Sequence, residues 1–449
     1  MKFRKLIIWF LVMIIACFAI GCGAQDDEDD NPDEFDPDAN LATELTFFDD
    51  FTDIDFSKKE WHLSNRKWGS GFNNGVKAEN VAYTDDGILI LSSHGDYYNG
   101  PLGEDGIRSG AVIISDRVFG PGRFEVRMKA MPRFGATSAI WTYFYGDADG
   151  QHDLNQEIDI ELNVDNDFGR VWNTSWHTTD LHASAKVDSP IINNDGEWHT
   201  YKIEWHTNPE RIDYYIDDIV TYTSTSCVPW CAGNLWIGNW FPPSWAGTPN
   251  FATDYMFIDY VKHTPYKNNP FTETESDYLP EGEWPNAPID IPLANLISDA
   301  GFEGCADIEA DPWAVRGSKT ASVIKNEGIN GSAAMVVTKN SVTYEGVPVQ
   351  EITGMSEGFE LTLKANAKLS SGAKGYVQID FKPLDQKKLG EEKLYFDISD
   401  IGCTSGEYYE KELTFTVPKD CKRLEICLVV EEGDIAFDDL FLCHSKFLK

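Results

Sequence analysis

Basic residues are scarce in this chain of 449 residues: 37 Lys and Arg stand against 74 Asp and Glu, a net charge of −37. That balance excludes nucleic acid as a partner, because phosphates require a basic footprint. It also speaks against a polyanionic substrate, whereas a neutral polymer is indifferent to it. Long helical periodicity is missing, while Gly, Pro and aromatic residues are plentiful, so many short strands and an all-β fold are expected. The apolar run from Leu6 to Ile20 is too short to span a membrane. Cysteine is sparse, with nine in all. Cys305, Cys403, Cys421, Cys427 and Cys443 are far apart and have no His partners, so no zinc site is expected. Buried thiols acting as small hydrophobes fit them better. Cys227 and Cys231 could close a small loop in an exported protein.

What the chain does have is Glu157-Ile158-Asp159-Ile160-Glu161. In a strand, side chains alternate between faces, so the three carboxylates share one face and the two Ile enter the core. Three acids in line repel one another, and a surface strand gains nothing from that cost. A site that must keep one carboxylate ionised and another protonated does gain, because repulsion and burial push their pKa values apart. The Cα atoms of Glu157 and Glu161 are separated by about 13 Å of strand. Side chains leaning together can bring their carboxyls to about 5–5.5 Å, the separation of a retaining glycosidase.

The chain divides by composition. Met-Lys-Phe-Arg-Lys, the apolar run and Gly21 read as a signal peptide over 1–21. Ala19-Ile20-Gly21-Cys22 resembles a bacterial lipobox, which implies acylation of Cys22 and membrane contact through a lipid anchor only. Losing Lys2, Arg4 and Lys5 with the leader takes the net charge to −40. Residues 22–44 are an acidic, disordered tether. Its acidic run resembles the surface-export signal of lipoproteins in the Bacteroidota, or serves as a solvated spacer. An outer-membrane, surface-exposed lipoprotein is expected, and a monomer. Residues 45–265 carry short β-rich runs broken by Gly, Pro, Asn and Asp, with Asp217-Asp218 as a turn. Residues 266–292, rich in Pro and acids, read as a stiff, solvated linker. A second β-sandwich follows over 293–449.

Several blocks over Leu45–Pro265 resemble glycoside hydrolase family 16, the β-jelly-roll endo-glucanases and transglycosylases. They are Arg108-Ser-Gly-Ala-Val112, Phe119-Gly-Pro-Gly-Arg-Phe-Glu-Val-Arg-Met-Lys129, the acidic strand, Trp198-His-Thr-Tyr-Lys-Ile-Glu-Trp205 and Phe257-Ile-Asp-Tyr-Val261. The resemblance implies Glu157 as nucleophile, Asp159 as its electrostatic supporter and Glu161 as general acid/base. One residue separates Asp159 from Glu161, as in licheninases and xyloglucan-active enzymes. Laminarinases, agarases and carrageenases usually have two there, forming a bulge. The second unit resembles carbohydrate-binding module families 4 and 9 in Asn295–Glu303, Trp313, Phe359–Lys368 and Ile435–Leu442.

Glycan subsites need aromatic platforms for the apolar faces of sugar rings. Trp141 and Tyr143 share a strand face and match licheninase cleft positions. Trp176 and His177 follow one hairpin later. Asn239, Trp240 and Trp245 lie in a segment resembling the licheninase donor side. Arg108 is also assigned to substrate binding, Trp205 to the core, and Trp313 and Tyr344 are possible platforms of the module. Asn155 stands two residues before Glu157, where licheninases usually place Trp, which leaves the glucan linkage open. No cofactor is needed for catalysis. The family resemblance implies a structural Ca²⁺ held by Asp259 and the Gly87 carbonyl, and a similar ion at Glu303 and Asp438. The reading is a retaining endo-β-glucanase, with mixed-linkage β-1,3-1,4-glucan favoured. A laminarinase, or an enzyme acting on xyloglucan or galactan, is the alternative within the class. A non-catalytic glycan-capturing lipoprotein is the alternative outside it.

Overall fold

The computed structural model describes residues 35–448, except 68–72, 101–107, 145–154, 277–278, 305–310, 317–319, 340–346, 384–391 and 400–405. Cys22, Tyr344, Cys305 and Cys403 lie outside the described residues. Strand dominates, as the missing helical periodicity required.

Six antiparallel strands form the sheet that carries the acidic segment: β1 (Arg108–Phe119), β2 (Thr137–Phe144), β3 (Gln156–Val164), β4 (Asp167–Thr178), β5 (Leu181–Asp188) and β6 (Gly233–Trp240). Their order is β5-β4-β3-β2-β6-β1. At the His94–Ser109 pair the hydrogen-bonded path turns into a second layer. That layer holds Leu89–His94, Thr253–Pro265, Gly122–Lys129, His199–Thr207, Glu210–Ile216 and Ile219–Ser224. Between the layers lies one apolar core, with Ile140, Ile158, Ile160 and Ile237 facing Val126, Met128, Ile203 and Ile258. This is the jelly-roll-like sandwich that period-two alternation demands. Trp205 is buried in it, its indole N–H donating to Pro229 O at 3.0 Å.

The hairpin after the acidic strand turns on Asp165 and Asn166, both at positive φ, which matches a two-residue primed turn. Asp217-Asp218 does the same in the hairpin joining Glu210–Ile216 to Ile219–Ser224.

Residues 294–448 form a second sandwich of two five-stranded sheets with its own core. Trp313 is fully buried there, packed on Phe302 at 5.3 Å, with its indole N–H on Asp299 O. It is a core residue and not a platform.

The segment 266–292 differs from expectation. It is a strap laid along the first sandwich, not a solvated spacer. Asn269 Oδ1 accepts from the amides of Thr207 and Asn208, and Thr272 pairs with Trp230. Glu281 receives Arg66, the Asn65 amide and the Ser64 hydroxyl. Trp284 donates to Trp61 O at 3.0 Å, and the Ile289 amide to Tyr83 O at 2.8 Å. Apolar and backbone anchors at single positions outweigh what the Pro-rich average composition suggests.

Candidate active site

Strand β3 pairs with β2 and β4 without any register shift from Glu157 to Glu161. Three rows therefore cross the sheet: Tyr143–Glu157–Trp176, Trp141–Asp159–Thr174 and Ala139–Glu161–Trp172. Strand β5 extends them with His182, Ser184 and Lys186. Side chains in one row point to one face, so the three acids sit among aromatic rings. They line a cleft of about 380 Å³, within the range of ligand sites.

Trp141, Trp176, Trp240 and Trp245 line the same cleft. Trp240 and Trp245 meet edge to face at 6.0 Å, and Trp245 meets Trp172 the same way at 5.5 Å. The Trp245 loop is fixed by the Asp165 amide donating to Trp245 O at 2.9 Å. Trp141 stacks on Trp236 at 5.4 Å. Sequence reasoning missed Trp172, Thr174, His182 and Ser184, which also line the cleft. Trp172 was within reach of the alternation rule, being four residues before Trp176. His182 and Ser184 come from the neighbouring strand, and only the pairing register shows them.

Several other expectations are corrected. His177 points away from the cleft: its Nδ1–H donates to Val228 O at 2.8 Å, while His182 packs on Trp176 at 4.3 Å. Asn239 faces the opposite side of β6 from Trp240 and is fully buried. Its Oδ1 accepts from Ser93 Oγ and the Ala111 amide, and its amide donates to Leu91 O. Asn239 joins the two layers and does not touch a ligand in the cleft. Tyr143 shares the cleft face but lies edge-on against Trp236, outside the lining. Arg108 is held in a two-pronged pair by Asp96, also outside it. Cys227 and Cys231 are free thiols and close no loop. Gln156 organises that loop instead, its Oε1 accepting the amides of Trp230 and Cys231.

The Ca²⁺ sites fit poorly. Asp259 is paired with the Arg127 guanidinium, so a cation there would have to displace it. Gly87 turns at φ +88° against Asp50 and Thr52, and the Asp50 carboxylate already accepts from the Thr52 amide and hydroxyl. Asp438 already accepts from the Ile329 amide and Ser332 Oγ, and Glu303 accepts the Ala333 amide. A hard cation needs several free oxygens.

The acids are electrostatically strained. Burial pushes Glu157 up to about 7, against hydrogen bonds from Asp159 and Asn155 that favour its charge. Burial, then the Glu157 charge, pushes Glu161 up to about 8, with Lys186 opposing. Asp159, between them, is pushed well above the usual carboxylate range by burial and by both neighbours. Glu157, at about 7, therefore ionises before Glu161, at about 8, and the row is poised to carry charge on Glu157 beside a protonated Glu161. Asn155 Nδ2 donates to Glu157 Oε2 at 3.2 Å, so the residue that replaces an aromatic supports that charge. A carboxylate beside a protonated carboxyl, under stacked indoles, can attack an acetal carbon while its partner protonates the leaving oxygen.

The profile of glycosyl hydrolases family 16 matches residues 69–258, and that of a carbohydrate-binding domain matches residues 294–433. The chain is similar to a β-glucanase of Paenibacillus macerans, 32% identical over 216 residues, covering 46% of this chain and 84% of that protein. A β-glucanase of Acetivibrio thermocellus is 29% identical over 245 residues, covering 52% of this chain and 68% of that protein. The solved structure of a Bacillus licheniformis β-glucanase aligns at 24% identity with a TM-score of 0.42, covering 49% of this chain and 97% of that one.

Proposed function

The chain belongs to glycosyl hydrolases family 16 and is a retaining endo-β-glucanase with a C-terminal carbohydrate-binding module; from that premise we propose that its substrate is mixed-linkage β-1,3-1,4-glucan and that Glu157 and Glu161 carry the chemistry. Glu161, protonated, gives its proton to the leaving glycosidic oxygen while Glu157 attacks the anomeric carbon. Glu161 then takes a proton from a water whose oxygen bonds to the anomeric carbon, and the bond from that carbon to Glu157 breaks, which frees the sugar and the carboxylate. Asp159 keeps its proton and donates a hydrogen bond to Glu157, holding the nucleophile oriented and ionised.

The observation carrying this reading is the unshifted pairing of Glu157, Asp159 and Glu161 on the floor of a Trp-lined cleft. The missing bulge favours a mixed-linkage substrate over laminarin. Trp141, Trp172, Trp176, Trp240 and Trp245 supply flat apolar faces for successive glucosyl rings. The net charge of −37 suits a neutral glucan.

Two further elements complete the proposal. Cys22 anchors the protein to the outer membrane by a lipid, with the acidic tether behind it, and the module captures polysaccharide beside the cleft. The test is product analysis on mixed-linkage glucan, laminarin, xyloglucan and galactan. Fast internal cleavage of mixed-linkage glucan is expected. An equal or higher rate on laminarin would overturn the substrate assignment.

A further inference from the structure

The strap reaches back to the wall of the cleft. Glu281 lies on it, and donors of the first sandwich converge on its carboxylate: Arg66 Nε at 3.0 Å, Arg66 Nη2, the Asn65 amide at 2.9 Å and Ser64 Oγ at 3.1 Å. A carboxylate offers about four acceptor sites, so Glu281 is saturated. Its two-pronged grip fixes the plane of the guanidinium. The main chain of Arg66 is held as well, exchanging both hydrogen bonds with Val76. Gly282 makes this close approach possible. It pairs with Leu63, and a Cβ built there would lie 2.1 Å from Ala78 Cβ.

The held guanidinium sits over the Trp236 ring, its Cζ 5.2 Å from the centroid. Trp236 is the cross-strand partner of Trp141, and the two indoles stack at 5.4 Å and 28°. Trp141 is in turn the cross-strand partner of Asp159 and lines the cleft. Trp236 is 3% exposed and stands behind Trp141, outside the lining. A continuous stack therefore runs from the strap to the sugar platform: Glu281, Arg66, Trp236, Trp141. An exposed ion pair alone contributes little to stability. Its value here lies in aim, because a cation over an indole face braces the ring, and a small misplacement of a substrate-positioning group is costly.

We propose that Glu281 and Arg66 are positioning residues of the glucanase: the strap carboxylate locks the guanidinium, the guanidinium braces Trp236, and Trp236 sets the Trp141 face against which a glucosyl ring packs. This rests on the reading of the cleft as a saccharide site, and not on which β-glucan it takes. The strap is then part of the binding machinery as well as a fastening.

The test is steady-state kinetics of the full-length protein on the β-glucan it cleaves fastest. Glu281→Gln, which puts an NH2 against the guanidinium, should raise KM by about threefold to fivefold, the worth of one cation–π contact, with kcat within about twofold. Gly282→Ala, which pushes the strap off Ala78 with Glu281 and Arg66 intact, should raise KM to a similar extent. Trp141→Ala should raise KM by about tenfold. Glu281→Gln added to Trp141→Ala should raise it no further, because the platform through which it acts is gone. A strap that only fastens the fold would lower the melting temperature and the active fraction and leave KM alone. KM unmoved in Glu281→Gln, or raised equally in the wild-type and Trp141→Ala backgrounds, overturns the proposal while the Trp141→Ala effect upholds the saccharide cleft. If Trp141→Ala leaves KM unmoved, the saccharide reading of the cleft falls and the proposal falls with it.

Discussion

Replacing Glu161 with Gln should make the protein more stable and inactive at once, and the stability gain should depend on pH. Folding raises the Glu161 carboxyl from 4.5 to about 8, through burial first and the Glu157 charge second. The folded state keeps a proton that the unfolded chain releases, so stability linked to this group is fully present below 4.5 and is lost as pH rises through about 8. Each tenfold change in proton affinity is worth about 1.36 kcal/mol, so ionising this site at pH 9 costs about 4 kcal/mol more than at pH 5. Glu161 is partly open to the cleft, and solvent screening reduces that to about 2 kcal/mol. Gln is isosteric and does not titrate. In urea unfolding, Glu161→Gln should match wild type at pH 5 and exceed it by about 2 kcal/mol at pH 9. Activity should fall by about 10²–10⁴, the usual worth of a general acid. An equal difference at both pH values would refute the claim that this carboxyl is held protonated by its surroundings.

Glu157→Gln should abolish turnover and lower the Glu161 pKa, because the charge that helps raise it is gone; ¹³C NMR of the Glu161 carboxyl reads this. Asn155→Ala should move the acidic limb of kcat/KM to higher pH, since the lost hydrogen bond favours ionised Glu157. An unmoved limb would mean that Asn155 does not tune the nucleophile. Trp240→Ala should cost about tenfold in kcat/KM on glucan, measured by initial rates, as a stacking platform is removed. A catalytic unit ending at residue 265 should melt well below one ending at residue 292, because Glu281 and Trp284 then no longer hold Arg66 and Trp61 O. Equal melting temperatures would mean that the strap contributes nothing to stability.

The acidic strand was legible because its information is local. Alternation alone places Glu157, Asp159 and Glu161 on one face, and the structure keeps that face unbroken. The same rule excludes His177 and Asn239, each adjacent in sequence to a cleft Trp and therefore on the other face of its strand. Resemblance to a family segment drew Asn239 toward the cleft, and its place one hairpin after the acidic strand drew His177, both against the period of two. His182 and Ser184 were not legible, because cross-strand neighbours depend on the β4–β5 register. The strap shows how composition misleads. Its prolines and acids describe the average, whereas anchors at single positions, Asn269, Glu281 and Trp284 among them, decide where it lies. Trp313 follows the rule that a lone Trp in a sandwich is core.

Trapping the reaction intermediate tests the central claim most directly. A 2-deoxy-2-fluoro β-glucoside with an activated leaving group slows hydrolysis of the glycosyl-enzyme more than its formation, so the covalent species accumulates. Peptide mapping by mass spectrometry should find one fluoroglucosyl adduct, on Glu157, formed in wild type and absent in Glu157→Gln. An adduct on Asp159 or Glu161, or no adduct together with products of inverted configuration, would contradict the account.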